Sequence, residues 1–144
     1  GLANPWQMAD SASTAAQGAG LDGFDVSEGL ELELGAVRGW EYQYTAGLVQ
    51  ADTVVGAAEL CLRKGLPSDG DDVSGDYTGY AHSWTQSIKG LMVTCYGNVE
   101  GQAAKTVWAS GSYAYSIVAY GQGDDASDFG LSADDINALV NSIQ

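Results

Sequence analysis

Positive charge is what this sequence has least of. Five Lys and Arg face nineteen Asp and Glu, for a net charge of −14 over 144 residues. A field of that sign repels phosphate backbones and anionic lipid headgroups, which argues against nucleic acid and membrane surfaces as partners. Histidine occurs once, as His82, and cysteine twice, as Cys61 and Cys95. Zinc takes three or four Cys, His or carboxylate ligands, so this supply is too thin for a zinc centre. Apolar runs such as "SIVAY" fall far short of the ~20 residues that cross a bilayer, and no charged-then-apolar leader opens the chain. The start at Gly1, without an initiator methionine, fits a chain trimmed of a leader or anchor, so membrane attachment is expected only through a missing segment.

Proline is nearly absent at two residues, whereas glycine reaches twenty, and Tyr, Trp and Thr are plentiful. That balance suits twisted antiparallel strands joined by glycine turns. The length fits one domain, residues 1–144, large enough to bury roughly two thirds of the surface of its unfolded form. There is no internal repeat and no low-complexity linker.

Two helices bracket the strands. In "ADSASTAAQGAG", Asp10 or Ser11 can accept the free N–H groups of a first turn, and Gly18 or Gly20 can take a left-handed closing position. Ala12, Ala15, Ala16 and Ala19 fall on one face at helical spacing. At the other end Ser132, with Asp135 three residues on, forms a variant capping box, and Leu131 can staple to Ile136. Ile136, Leu139, Val140 and Ile143 make an apolar stripe. Between them the pattern alternates. "VRGWEYQY" reads as a strand carrying Val37, Gly39, Tyr42 and Tyr44. "AAELCLRK" sets Ala58, Leu60 and Leu62 against Glu59, Cys61 and Arg63. "TGYAHSWTQSIKGLMVTCYGN" reads as a hairpin turning at Lys89-Gly90, and "AKTVWASGSYAYSIVAYG" as one turning at Ser110-Gly111 with Trp108 facing Tyr113. The expected fold is α+β: an antiparallel sheet with an N-terminal and a C-terminal helix packed on one face.

Motifs with chemistry fail on context. "GAGLDG" (Gly18 to Gly23) has dinucleotide-loop spacing, but its glycines close a helix instead of opening one. "GQGDDA" (Gly121 to Ala126) would set Asp124 and Asp125 against a pyrophosphate of like charge. "SDGDDVSGD" gathers Asp69, Asp71, Asp72 and Asp76. Aligning Gly75 with the turn glycine of an EF-hand puts Gly70 at the first ligand position and Ala81 where a bidentate Glu belongs. A solvated acidic loop explains it better, and no cofactor is expected. There is no G-x-S-x-G elbow for a serine nucleophile. With a turn at Lys89-Gly90, Trp84 faces Cys95 and His82 faces Gly97. Alternation then puts Tyr80, His82 and Trp84 on the side of Leu91, Val93 and Cys95, the apolar side. Asp76, Tyr80 and His82 are the candidate binding or catalytic surface.

"LRKG", "DVSGDYTGY", "AAKTVWASGSYAYSI" and "LSADDINALVNSI" resemble an uncharacterised domain family of Gram-positive and gut bacteria. Its members are sequences read as lipoproteins and the outer parts of anti-sigma-like membrane proteins. The resemblance runs from "NPW" to the last helix and rests on structural motifs. It implies an extracytoplasmic location, in the cell envelope or secreted, and an antiparallel sheet with helices. It carries over no catalytic or ligand residue. The expectation is a non-enzymatic module that binds, senses or interacts with an unknown protein or small molecule. The alternative is an envelope or secreted hydrolase using His82 as general base with an aspartate such as Asp76. Cys61 and Cys95, on opposite faces, are expected not to bond to each other.

Overall fold

The structure, a computed structural model, describes residues 4–68 and 70–144. Gly1 and Asp69 of the acidic loop therefore lie outside the described residues. In chain order the elements are β1 (Gln7–Ala9), α1 (Ala12–Ala19), β2 (Leu30–Leu32), β3 (Gly35–Val37), β4 (Glu41–Thr45), β5 (Leu48–Val55) and β6 (Ala58–Gly65). They continue with β7 (His82–Ile88), β8 (Leu91–Gly97), β9 (Lys105–Ser110), β10 (Tyr113–Tyr120) and α2 (Ala133–Ser142). The chain is mostly antiparallel sheet with two helices. Eight strands form one sheet in the order β1-β4-β5-β6-β10-β9-β8-β7, and β2 and β3 form a separate ribbon.

Two meanders build the large sheet. The first runs β4-β5-β6 through the two-residue loops at Ala46-Gly47 and Gly56-Ala57. The second starts at the far edge, runs β7-β8-β9-β10, and returns to pair β10 with β6. Residues 66–81 must therefore cross the sheet from its centre to its edge. This crossing, and not any motif, assembles the site described below.

The register sorts side chains onto two faces. Ala51, Leu62, Ile117, Thr106 and Cys95 follow one another across the strands, and so share one face. On that face Val49, Leu60, Leu62, Ile117, Val93 and Trp108 join a single buried cluster with Ala15, Ala16 and Ala19 of α1 and Ile136, Leu139 and Val140 of α2. Each large aliphatic side chain buried there contributes about 1.5–3 kcal/mol. Helix α1 lies against β4 and β5. Its small residues permit this: a Cβ on Gly18 would come within 2.5 Å of the Tyr44 ring. Ser11 accepts from the Thr14 N–H at 3.1 Å, and Gly20 closes the helix with φ 82°. These contacts account for Gly18 and Gly20 of "GAGLDG" without a nucleotide.

Three expectations are corrected. "VRGWEYQY" is not one strand, because Gly39, at φ 69°, separates β3 from β4. The second hairpin turns at Gly111-Ser112, so Trp108 pairs with Tyr115, stacked at 5.3 Å between ring centroids, and not with Tyr113. A two-residue change of partner keeps every face, so the burial pattern is unaffected. Third, Ser132 caps α2 as expected, accepting from the Asp135 N–H at 3.2 Å, but the Asp135 carboxylate does not turn back on the cap. It accepts from the N–H groups of Glu33 and Leu34, at 2.8 and 3.2 Å, and clamps the β2-β3 turn to the helix. No helix among the described residues is long and apolar enough to cross a membrane.

Candidate functional site

The face opposite the helices is not bare. Ala114, Ser116 and Val118 of β10 are buried there, beneath the crossing segment. Two cations hold that strap down. Arg63 donates to the Val73 carbonyl at 3.1 Å, and Lys105 donates to the Asp72 carboxylate at 2.9 Å and the Asp76 carbonyl at 2.8 Å. Lys105 is a lysine with only 8% of its side chain exposed. Its ammonium lies 4.8 Å from the centre of the Tyr96 ring and 5.9 Å from that of Tyr80, a cation–π placement.

The strap folds on itself through short polar bonds that Asp and Ser favour in turns. Ser74 N–H donates to Asp72, Asp76 N–H to the Ser74 hydroxyl, and Thr78 N–H to Asp76. One oxygen of Asp76 accepts the Thr78 N–H at 3.0 Å and its hydroxyl at 2.6 Å. The other accepts the Tyr80 hydroxyl. Burial pushes the Asp76 carboxyl upward, but the bonds from Thr78 and Tyr80 outweigh it and hold it below the ordinary 3.8. Burial and the Asp76 bond push the Tyr80 phenol up to about 12, so it stays a donor. Asp76 is an ionised acceptor whose donors are already in place, the opposite of a poised general base.

Beside this pair opens a cleft of about 310 Å³. Its walls are Asp76, Thr78 and Tyr80 on the strap, Tyr120 at the end of β10, and Asn98 and Phe129 from the two loops at that end of the sheet. Phe129 closes over Gly121, where a Cβ would come within 2.6 Å of it, and Asn98 ties the loops together by donating to the Ser127 carbonyl at 2.8 Å. Tyr120 stays half exposed, and burial raises its phenol, with the Asp76 charge acting in the same direction. The result is a cleft lined by one carboxylate and three aromatic side chains, Tyr80, Tyr120 and Phe129. Two other clefts offer less. In that of about 460 Å³ around Lys64, the lysine is already spent on Asp22 and the Gly23 carbonyl at 2.8 Å each. That of about 350 Å³ around Glu41, Asp52 and Glu59 has no aromatic wall.

Of the candidate residues, the structure brings Asp76 and Tyr80 together and leaves His82 apart. His82 does share the face of Trp84 and Cys95, opposite Gly97. Tyr80 does not: it packs near Tyr96 on the strap side, because β7 begins only at His82 and alternation does not extend into the segment before it. At Gly97, opposite His82, the Gln102 carbonyl lies where a Cβ would point. His82 is exposed, and its imidazole has no hydrogen-bond partner among the described residues. No group of three or more His, Cys, Asp or Glu is arranged to hold a metal among the described residues. Lys105, Asn98, Tyr120 and Phe129 were missed. Only Lys105 carried a local signal, as a cation opening a strand in a chain with very few.

Comparison of the chain with models of protein families, with curated proteins and with solved structures finds no match.

Proposed function

We propose that this domain is a non-enzymatic binding module of an extracytoplasmic bacterial protein, and that its ligand seats in the cleft between the strap and Tyr120. The observation that carries the reading is the state of Asp76: ionised, saturated with internal donors, and set among aromatic side chains. Such a group can orient and attract a ligand but has little capacity to move a proton. With a net charge of −14 around it, the cleft favours neutral or cationic groups over anions. The resemblance supports an envelope or secreted setting, with any membrane attachment made by an anchor outside the domain. In this reading the N-terminal and C-terminal helices pack on one face of the sheet and fix the strands, which leaves the other face to the strap and the ligand.

The hydrolase alternative needs Asp76 and His82 to act as one unit. Their separate environments weigh against it.

The test is a binding screen by NMR chemical-shift perturbation, with neutral sugars, lysine- and arginine-containing peptides, and anionic sugars as probes. Saturable shifts at Tyr80, Tyr120 and Phe129, lost in Tyr120→Ala, support the site. Hydrolysis of any envelope glycan, ester or peptide that His82→Ala abolishes would overturn the reading. Localisation is tested by adding protease to intact cells carrying the parent protein: cleavage of this domain places it outside the cytoplasm.

A further inference from the structure

Strand β7 ends the large sheet, and its outer side has no backbone partner among the described residues. The turn beyond it fixes which groups are free. Lys89 at φ 42° and Gly90 at φ 80° have the two positive φ values of a type I′ turn, which makes Ile88 and Leu91 a hydrogen-bonded pair. An antiparallel ladder alternates, so Gln86, Trp84 and His82 also bond inward to β8. Ser87, Thr85 and Ser83 therefore turn their N–H and C=O groups outward, and their side chains are all exposed. Folded proteins normally blunt such an edge with a charge, a proline, a bulge or a very short strand. The opposite edge, β1, is three residues long. β7 has seven residues, no Lys, Asp, Glu or Pro, and an unbroken register from His82 opposite Gly97 to Ile88 opposite Leu91.

Charge supplies a second, independent observation. Nineteen acidic residues are spread along the chain, yet none lies between Tyr77 and Val99. The unguarded edge thus sits in an acid-free stretch of a strongly acidic molecule. A cationic partner would be drawn to the acidic surface in preference to this stretch, and an anionic partner would be repelled by the whole molecule. What fits is a strand as neutral as β7 itself.

We infer that β7 is the interface of a homodimer, in which two copies pair antiparallel about a two-fold axis at Thr85. Thr85 then lies opposite Thr85 of the partner subunit, and Ser83 opposite Ser87 of the partner subunit. The outward backbone groups of the three residues bond to their equivalents. On one face hydroxyl side chains meet hydroxyl side chains, a favourable cross-strand pairing, and on the other Trp84 and Gln86 flank the axis. An isologous contact sets a surface against its own copy, and β7, which carries no acid, brings none of the chain's like charges into the pairing. The inference is independent of the ligand cleft.

Sedimentation equilibrium over a range of protein and NaCl concentrations tests it. The expected mass approaches twice the 14.9 kDa chain as salt rises, because screening shortens to ~3 Å at 1 M and the two acidic bodies cease to repel. Thr85→Pro removes only an outward N–H, which an edge strand tolerates, and is expected to hold the mass at one chain with an unchanged circular dichroism spectrum. Thr85→Lys is expected to do the same and decides the matter should the proline variant not fold. Hydrogen exchange adds a signature: the amides of Ser83, Thr85 and Ser87 slow as the dimer forms, while those of Trp84 and Gln86 are protected throughout. A single-chain mass at every salt and protein concentration would overturn the inference, as would a dimer that both variants leave intact.

Discussion

Lys105 and Asp72 meet at 2.9 Å on the face of the sheet away from the helices, one almost fully buried and the other half in water. In a chain with five basic residues, three are used in this way. Arg63 and Lys105 bind the strap, and Lys64 binds the segment after α1 through Asp22 and the Gly23 carbonyl. The cations act as internal rivets, and the outer surface is left almost wholly acidic.

Loss of one rivet is measurable and depends on pH. Burial raises the Asp72 carboxyl, but bonds from Ser74 and Lys105 prevail and hold it below 3.8, and Asp76 is likewise lowered. Carboxyls depressed in the fold stabilise it above their unfolded pKa, and that contribution is lost as pH falls below about 3.8 through the folded values. Lys105→Met is expected to cost about 1–2 kcal/mol at pH 7, low for charge-assisted bonds because Asp72 keeps contact with water. The difference from the native chain should shrink as pH drops below 3.8. Urea denaturation at pH 7 and pH 3 checks both points, and an equal loss at the two values would show that packing, not charge, is what Lys105 supplies.

Asp135 holds the ribbon of β2 and β3 to α2 with two backbone bonds. Asp135→Ala leaves both N–H groups without their acceptor and is expected to cost about 1.5–3 kcal/mol, the range for bonds to a charged group. The loss should appear as faster amide exchange at Glu33 and Leu34. A variant as stable as the native chain, with exchange there unchanged, would remove the clamp from the account.

The particular residues show why some of the fold was legible and some was not. Lys89-Gly90 is a turn signal in the tightest kind of hairpin, and it set every partner from His82 to Gly97 correctly. In "SGS" the glycine falls first in the loop, at φ 61°, so Ser110-Gly111 and Gly111-Ser112 are equally good local readings and only packing chooses. β5 went unread because Ala51 and Thr53 face the core from a stretch that also holds Gln50 and Asp52. The cleft was the least legible part. Tyr80 and Tyr120 are forty positions apart, and they line one cleft only because residues 66–81 cross the sheet and the loop after β10 folds back. Asp76 and Tyr80 were visible as candidates, but their partnership depends on that crossing.

The last helix belongs to the core. Leu139 is 0% exposed and packs in the cluster that includes Leu60, Ile117 and Val93. Leu139→Ala removes transfer energy and leaves a cavity, so it is expected to cost about 2–5 kcal/mol. A change in the urea midpoint worth under about half a kcal/mol would identify the helix as peripheral, since that is the scale of surface substitutions.

The final prediction concerns the thiols. Cys61 and Cys95 are both free and buried. Cys61 pairs with Asp52 and Val118 on the strap side, whereas Cys95 pairs with Trp84 and Thr106 on the helix side, so the sheet itself stands between them. A disulfide needs Cβ atoms ~3.8 Å apart, which opposite faces of a sheet do not allow. Burial, with the charge of Asp52, pushes the Cys61 thiol up to about 12, and burial raises that of Cys95 as well. Thiolate is the reacting species, so both should resist a thiol reagent at pH 8 on two counts, access and ionisation. The native protein is expected to react only at the rate at which it opens, and the denatured, unreduced protein to show two thiols per chain at once. Fast labelling of one thiol in the folded state would mean that its side of the sheet is less well covered than the packing indicates. Absence of both thiols in a denatured monomer would mean that the two faces had been assigned wrongly.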